Sequence, residues 1–308
     1  MRIVFMGTPE YSVATLAALK NAGHEICAVF CQPDKPVGRK QILTPPQTKV
    51  FAQDNNIPVY QPHSLRDGSA LEILNSIMPD LIVVVAYGKI LPKEILDLPK
   101  YGCINGHASI LPKLRGASPI QWAIVSGEKK TGVTVMKMDE GMDTGNILSV
   151  RETDILPSDT AETLFDRLSG FTAELICKTI SDIENGEVLP IKQDEDLATY
   201  APIIKKEMAH LDFSQSANTL VNAVRGFYPW PVAFCFVGNK RLKVLSAKAV
   251  DYKNGTIGEV TDNRGNLVVA CGNNTAIEFL IVQPEGSKAM RAADMMRGNP
   301  IELGTVLK

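Results

Sequence analysis

Residues 81–86 read LIVVVA and residues 102–107 read GCINGH. The first run has the length and the β-branched content of a strand that is buried on both faces. If residues 102–105 form the next strand, Asn105 and His107 stand at its carboxyl end. Side chains at positions i and i+2 of an extended backbone point to the same side, so this amide and this imidazole can reach one small volume. Because ligands of open α/β sheets bind at that edge, the two stretches predict both an α/β sheet and the position of its site.

A second stretch supplies carboxylates for the same site. Residues 131–138 (TGVTVMKM) alternate like a strand and lead into residues 139–145 (DEGMDTG), where two glycines mark a tight turn that carries three carboxylates. A carboxylate close to His107 would favour the charged imidazolium and would fix the orientation of the ring. Together with Asn105, such a pair could move protons and stabilise a negative oxygen.

These residue types suit the direct transfer of an acyl group to an amine. No Ser-His or Cys-His pairing indicates a nucleophile, and Cys103 lies in an apolar strand, where a thiol is usually buried and inert. An amide and an imidazolium can instead stabilise an oxyanion on a carbonyl carbon, which is worth about 3–4 kcal/mol per donor. On spacing alone, a structural turn beside a strand end remains the competing interpretation. A closed zinc site is disfavoured because it needs three or four Cys or His ligands.

Three motifs together resemble those of the folate-dependent formyltransferases, and the resemblance covers nearly all 308 residues. The motifs are Asn105-Gly106-His107, residues 109–120 (SILPKLRGASPI) and residues 139–145. The resemblance implies that Asn105, His107 and Asp143 are catalytic.

The same resemblance implies where the folate would bind. The tetrahydrofolate-binding segment would consist of Ser109, Ile110, Leu111 and Pro112, with Ile110 at a position where Leu is more usual. Residues 87–92 (YGKILP) resemble the segment that lines the folate ring pocket, which adds Ile90 and Leu91. A simple turn after a strand explains this last segment equally well.

Strand and helix patterns alternate through the first half of the chain, which predicts a Rossmann-like α/β domain with a mostly parallel sheet. The first strand–helix junction, Gly7-Thr8-Pro9, lacks the G-x-G-x-x-G that a dinucleotide requires. Short strands with Gly and Asn turns follow in the last third and predict a small barrel, which the resemblance implies to be OB-like. We therefore predict a formyltransferase catalytic domain at residues 1–190, a linker at 191–206 and a C-terminal OB-like domain that binds tRNA at 207–308.

Charge distribution indicates where a polyanion would bind. Residues 205–308 contain 13 Lys and Arg against 9 Asp and Glu, a net charge of +4, which leaves −6 for residues 1–204. A Pro-rich stretch at residues 32–49 also carries an excess of basic residues, and the family resemblance implies that this loop contacts the acceptor arm of tRNA. The predicted tRNA contacts are Arg39, Lys40 and Lys206. An ordinary surface loop and scattered surface lysines remain the alternatives.

Composition predicts a cytoplasmic protein. The chain is 45% hydrophobic and 21% charged, and it has no apolar run that approaches the ~20 residues of a membrane span. Its first residues do not read as a signal peptide. Its six cysteines form no C-x-x-C pair, so we expect reduced thiols and neither a disulfide nor a metal site. We also expect a monomer without a membrane partner.

The resemblance implies transfer of the formyl group of 10-formyltetrahydrofolate to the amino group of methionine esterified to initiator tRNA. Two alternatives stay open. A formyltransferase for a small amine, such as glycinamide ribonucleotide or an amino sugar nucleotide, would use the same three catalytic residues. A non-catalytic RNA-binding protein would use the barrel and keep the α/β half as a scaffold.

Overall fold

The computed structural model describes residues 1–38, 40–251 and 254–308 and divides the chain into two compact units. The first unit comprises residues 1–119, 130–154 and 165–201, and the second comprises residues 120–129, 155–164 and 202–308. The predicted boundaries at residues 190 and 206 stay a prediction.

Strands and helices alternate through most of the first unit, and strands predominate in the second. In chain order they are β1 (Arg2–Gly7), α1 (Glu10–Asn21), β2 (Glu25–Phe30), β3 (Lys35–Val37), β4 (Ile42–Thr44), α2 (Gln47–Asp54), β5 (Val59–Tyr60), α3 (Ser69–Ile77), β6 (Leu81–Val85), α4 (Lys93–Leu96), β7 (Cys103–His107), α5 (Pro119–Val125), β8 (Lys130–Lys137), β9 (Ile147–Asp154), α6 (Ala161–Asn185), α7 (Ala217–Gly226), β10 (Phe234–Val237), β11 (Lys240–Val250), β12 (Val260–Asp262), β13 (Val268–Cys271), β14 (Thr275–Pro284), β15 (Met290–Arg291) and α8 (Ala292–Gly298).

A seven-stranded sheet in the order β5-β2-β1-β6-β7-β8-β9 forms the centre of the first unit. The pairs from β5 to β7 are parallel, whereas β8 and β9 add to the β7 edge in antiparallel fashion. All five residues of β6 are buried, as its continuous apolar run predicts for a strand covered on both faces. The prediction of a Rossmann-like, mostly parallel sheet is confirmed.

The second unit is built on an antiparallel sheet in the order β10-β11-β14-β13-β12, with β15 paired to β14. The C-terminal segment joins the two edges of this sheet. Lys308 exchanges hydrogen bonds with Phe236 of β10, at 2.6 and 3.1 Å, while Thr305 accepts from the N–H of Val260 in β12 at 2.8 Å. This segment therefore satisfies edge groups that an open sheet would leave unpaired, which is how a barrel removes its edges. The predicted fold class of the C-terminal region is confirmed.

Two features of the first unit were not predicted from the sequence. The Pro-rich stretch contains a short hairpin, β3–β4, on which Lys40 is exposed, and Arg39 lies outside the described residues. Strand β9 also escaped prediction, because its polar residues face solvent along the sheet edge. None of the described helices is both long and apolar enough to cross a membrane.

The C-terminal segment pairs with both edges of the sheet, so we expect Leu307→Ala to destabilise the second unit. The free energy of unfolding should fall by about 2–5 kcal/mol, the usual cost of truncating a buried leucine to alanine. Leu307 is 2% exposed, and its N–H donates to the carbonyl of Gly258 at 2.8 Å. Leu303 lies four residues earlier and is 57% exposed, so Leu303→Ala should change stability by no more than about 0.5 kcal/mol. Urea unfolding followed by tryptophan fluorescence reports on this unit, since Trp122 and Trp230 both belong to it. Equal losses for the two leucines would contradict the proposed closure.

Candidate active site

Asn105 and His107 reach the site because of the residue between them. Gly106 faces helix α6 so closely that a Cβ atom added there would lie 2.6 Å from Cγ2 of Thr172 and 2.8 Å from Cδ1 of Ile176. Neighbouring residues of a strand point to opposite faces. The helix therefore covers one face of β7 at this point, and the amide and the imidazole project from the other.

Asp143 joins these two side chains from the turn after β8. Its Oδ2 lies 3.7 Å from Nδ1 of His107, and its Oδ1 accepts a long hydrogen bond of 3.5 Å from Nδ2 of Asn105. Both side chains of this contact are largely buried, with His107 7% and Asp143 15% exposed. The structure thus brings the three predicted catalytic residues together.

A second contact fixes the protonation of one ring nitrogen of His107. Its Nε2 lies 2.9 Å from the carbonyl oxygen of Leu114. Because a carbonyl oxygen can only accept, Nε2 must carry a proton and donate it. Nδ1 is then the ring nitrogen that faces Asp143.

The loop after β7 holds the carboxylate from its other side. The backbone N–H of Gly116 donates to Oδ2 of Asp143 at 2.8 Å. Gly116 has φ +111°, and a Cβ atom there would lie 2.9 Å from the carbonyl oxygen of Ala201. Glycine is therefore required for this N–H to reach the carboxylate.

The predicted tetrahydrofolate segment follows His107 directly and is fixed by buried polar contacts. Ser109 and Leu111 are buried, and Ile110 and Pro112 are half-buried. The hydroxyl of Thr134, on β8, donates to the carbonyl of Ser109 at 2.8 Å and accepts from the N–H of Leu111 at 3.1 Å. The segment is therefore held at the end of β7, next to the His107 ring.

Ile90 and Leu91 lie on a separate cavity of about 560 Å³ in the first unit. Apolar and polar groups line it in nearly equal measure, and the charged residues among them are Arg66, Lys93, Glu94 and Glu140. Glu140 belongs to the same turn as Asp143, residues 139–145, which places the cavity beside that turn. Among the described residues, Asn105, His107 and Asp143 do not line it.

Two buried polar residues of the site were missed by sequence reasoning. Arg115 is fully buried, although the sequence presents it only as one residue of a longer motif, and Gln193 is 4% exposed, although its polar neighbours predicted a linker. Gln193 donates to the carbonyl oxygens of Asp143 and Gly145, at 2.9 and 2.7 Å. No local pattern could have found this contact, because it joins residues about fifty positions apart.

The Cys103 thiol on β7 does not supply a nucleophile. Burial raises the pKa of the Cys103 thiol to about 12, so it stays protonated at neutral pH. Within residues 1–38, 40–251 and 254–308, no group of three or more His, Cys, Asp or Glu side chains could hold a metal ion.

The predicted tRNA contacts Lys40 and Lys206 are exposed on the first and the second unit, respectively.

Comparisons with known proteins identify the family to which the chain belongs. Residues 1–180 match the formyl transferase family, and residues 203–300 match the C-terminal domain of formyl transferases. The chain belongs to the formyl transferase family. A methionyl-tRNA formyltransferase of Bacillus licheniformis is 47% identical over 308 residues, which cover 99% of this chain and 98% of that relative.

Solved structures of the family have the same fold. The methionyl-tRNA formyltransferase from Clostridium thermocellum matches with a TM-score of 0.54 at 25% identity, over 83% of this chain and 95% of that one. An N-formyltransferase from Helicobacter canadensis, solved in complex with folinic acid and dTDP-3-aminofucose, matches with a TM-score of 0.68 at 20% identity, over 91% of this chain and 98% of that one.

The close packing at Gly106 predicts that Gly106→Ala is destabilising by about 1–3 kcal/mol, because the added methyl group must displace helix α6 or strand β7. Gly170 is a matched control on the same helix, since a Cβ atom added there meets nothing within 4 Å. Gly170→Ala should stabilise the protein by about 0.5–1 kcal/mol. Urea unfolding followed by circular dichroism measures both. A neutral effect of Gly106→Ala would show that the helix does not constrain the strand.

Proposed function

We propose that this chain transfers the formyl group of 10-formyltetrahydrofolate to the amino group of methionine esterified to initiator tRNA. The observation that carries the proposal is the meeting of Asn105, His107 and Asp143 in a chain that is 47% identical over nearly its whole length to a methionyl-tRNA formyltransferase. We further propose that it acts in the cytoplasm as a monomer.

The arrangement of these groups suits a direct transfer. In the proposed reaction the amine nitrogen attacks the formyl carbon, and the carbonyl oxygen becomes an oxyanion. The bond between the formyl carbon and N10 of the folate then breaks, and N10 receives a proton while the amine loses one. Asn105 and protonated His107 stabilise the oxyanion, since each presents an N–H to the same small volume. Asp143 supports the positive charge of His107 and accepts the proton of the amine through water.

The donor would lie along the segment after β7. In this proposal Ser109, Ile110, Leu111 and Pro112 hold the folate beside His107, and Ile90 and Leu91 line the pocket of its ring system. The buried contacts of Thr134 support this assignment because they fix the first of these segments without using its outward surface.

The hairpin after β2 is the proposed tRNA contact of the first unit, through Arg39 and Lys40. Its two ends are tied together by Lys49, whose Nζ lies 2.9 Å from both carboxylate oxygens of Asp34 and from Oε1 of Gln61. Hydrogen bonds from Gln61, followed by those from Lys49, hold the pKa of Asp34 below its ordinary value. The carboxylate therefore stays charged at neutral pH, and the hairpin projects from a fixed base.

Lys206 is the proposed contact of the second unit, and a mixed aromatic and basic surface lies on the same unit. There the guanidinium carbon of Arg241 is 4.5 Å from the ring centre of Phe234, and His210 stacks on that ring at 5.2 Å. Rings combined with cations on a sheet face are typical of surfaces that bind nucleic acid. This surface supports tRNA binding by the second unit.

The proposed function is tested by assaying the purified protein with 10-formyltetrahydrofolate and either charged initiator tRNA or small amines. Formylation of the tRNA supports the proposal. Formylation of glycinamide ribonucleotide or of an amino sugar nucleotide in its place would favour the small-amine alternative. Binding of tRNA without any formyl transfer would favour a non-catalytic RNA-binding protein.

Asn105→Ala and His107→Ala should each lower kcat by roughly two orders of magnitude, because each removes a group that acts on the transition state. Asp143→Asn should also be severe and should change the pH dependence of kcat, since a neutral amide cannot support a charged imidazole. His24→Ala is the control, because His24 precedes β2 and so lies at the opposite edge of the sheet. Circular dichroism checks that each variant folds, and near-parental kcat in a folded His107→Ala protein would defeat the assignment.

Replacing Arg39 and Lys40 together by Ala should raise KM for charged tRNA and leave KM for the folate donor unchanged. The slope of log kcat/KM against log salt concentration should flatten by about 0.7–0.9 for each phosphate that the variant no longer neutralises. Lys206→Ala should act in the same direction. Lys20→Ala is the matched control, since Lys20 lies in the last turn of α1, at the end of the sheet opposite to the site. An equal loss of folate use would count against a role in tRNA binding.

A further inference from the structure

The side-chain amide of Gln193 uses all of its hydrogen-bonding capacity inside the first unit. Its Nε2 donates to the carbonyl oxygens of Asp143 and Gly145, and its Oε1 accepts from Nε and Nη2 of Arg115 at 3.1 and 2.8 Å. Reversing the amide would turn its NH₂ group toward the guanidinium donors and its oxygen toward the two carbonyls. The orientation is therefore fixed by chemistry.

Arg115 connects this amide to the surface. The guanidinium is fully buried, and its other edge forms two hydrogen bonds with Glu195, from Nη1 at 2.8 Å and from Nη2 at 2.9 Å. Glu195 is 61% exposed at the side chain, so it can relax toward solvent, whereas Gln193 is 4% exposed. The buried hydrogen bonds therefore connect Arg115 through Gln193 to the backbone of the turn at residues 139–145.

The backbone of that turn needs such support. Asp143 has φ +57°, a left-handed conformation that a residue with a side chain rarely adopts. At Gly145 a Cβ atom would lie 1.8 Å from the carbonyl oxygen of Lys137, so the turn passes very close to the end of β8. Without Gln193, two carbonyl oxygens of this tight turn would lose their donor.

The same segment also fixes the loop on the other side of His107. The carbonyl of Thr199 accepts from the N–H of Arg115 at 2.8 Å, and its hydroxyl accepts from the N–H of Leu114 at 2.9 Å. The N–H groups of Ala117 and Ser118 both donate to the carbonyl of Ala201, at 3.0 and 3.2 Å. These bonds hold the stretch that supplies the Leu114 carbonyl to His107 and the Gly116 N–H to Asp143.

We infer that residues 193–201 are a positioning segment of the active site and that Gln193 positions Asp143 against His107 and Asn105. The segment lies between the two regions that match the family, residues 1–180 and 203–300. The inference rests on the proposed function, because it assigns to Gln193 an effect on formyl transfer.

Gln193→Glu is the sharpest test. The new carboxylate keeps an acceptor for Arg115 but presents an oxygen, in place of donors, to the carbonyls of Asp143 and Gly145. We expect kcat to fall about 10- to 100-fold, as when a catalytic group is displaced by a fraction of an ångström, while KM for 10-formyltetrahydrofolate changes less than about threefold. Gln53→Glu is the matched control: it makes the same chemical change at an exposed position on α2 and should leave kcat within about twofold of the parent.

Histidine ring resonances give a readout that does not depend on formyl transfer. With four histidines in the chain, NMR of labelled full-length protein can follow each ring. In Gln193→Glu the resonances of His107 should move, whereas those of His24, His63 and His210 should not. If the parent protein fails to formylate charged tRNA, the proposed function fails, but this measurement still decides whether Gln193 positions the site.

Should Gln193→Glu not fold, Thr199→Val provides the second variant, because it removes one exposed hydroxyl contact to Leu114 and keeps the backbone bonds. It should lower kcat by several-fold and move the His107 resonances. Parental kcat together with unchanged His107 resonances, in folded Gln193→Glu or in Thr199→Val, would overturn the inference.

Discussion

The contact between helix α6 and strand β7 at Gly106 is the constraint on which the candidate site depends. Thr172 contributes to this contact in two ways. Its methyl group takes the space that a side chain at position 106 would need, and its hydroxyl lies 2.6 Å from the hydroxyl of Tyr11. Burial raises the pKa of Tyr11, so the phenol stays neutral and ties α1 to the same helix. With one face of β7 sealed in this way, Asn105 and His107 can project only from the other face.

Two of the non-glycine residues that have a left-handed backbone conformation contact His107. Leu114, which supplies the carbonyl for Nε2, and Asp143, which supplies the carboxylate near Nδ1, both have φ +57°. A non-glycine residue in this region costs about 1–2 kcal/mol, and such a conformation persists only where the surroundings fix it. Thr199 fixes the backbone at Leu114, and Gln193 fixes it at Asp143. The imidazole is thus held between two strained backbone positions, which keeps its two nitrogens in different environments.

Local patterns predicted the parts of the fold and of the site that depend on short stretches of chain. The apolar run of β6 and the i, i+2 spacing of Asn105 and His107 are such patterns, and the structure places both side chains within reach of Asp143. Strand β9 and the β3–β4 hairpin gave no comparable signal, because their residues are mostly half-buried or exposed. The proposed roles of the folate-binding and tRNA-binding residues stay predictions.

Gln193 shows why the remainder was not accessible from the sequence. A polar residue in a polar stretch reads as solvated surface, and only the tertiary structure reveals that Arg115 and the turn at residues 143–145 use all of its hydrogen bonds. The two domain matches to the formyl transferase family leave a gap in this chain, because the first ends at residue 180 and the second begins at residue 203. The hydrogen-bond network of the first unit continues to Ala201. The compact unit that holds the three predicted catalytic residues therefore extends beyond the region that matches the formyl transferase family. Its last segment stabilises the site through backbone and amide contacts between residues that are far apart in the sequence. No short motif encodes such contacts.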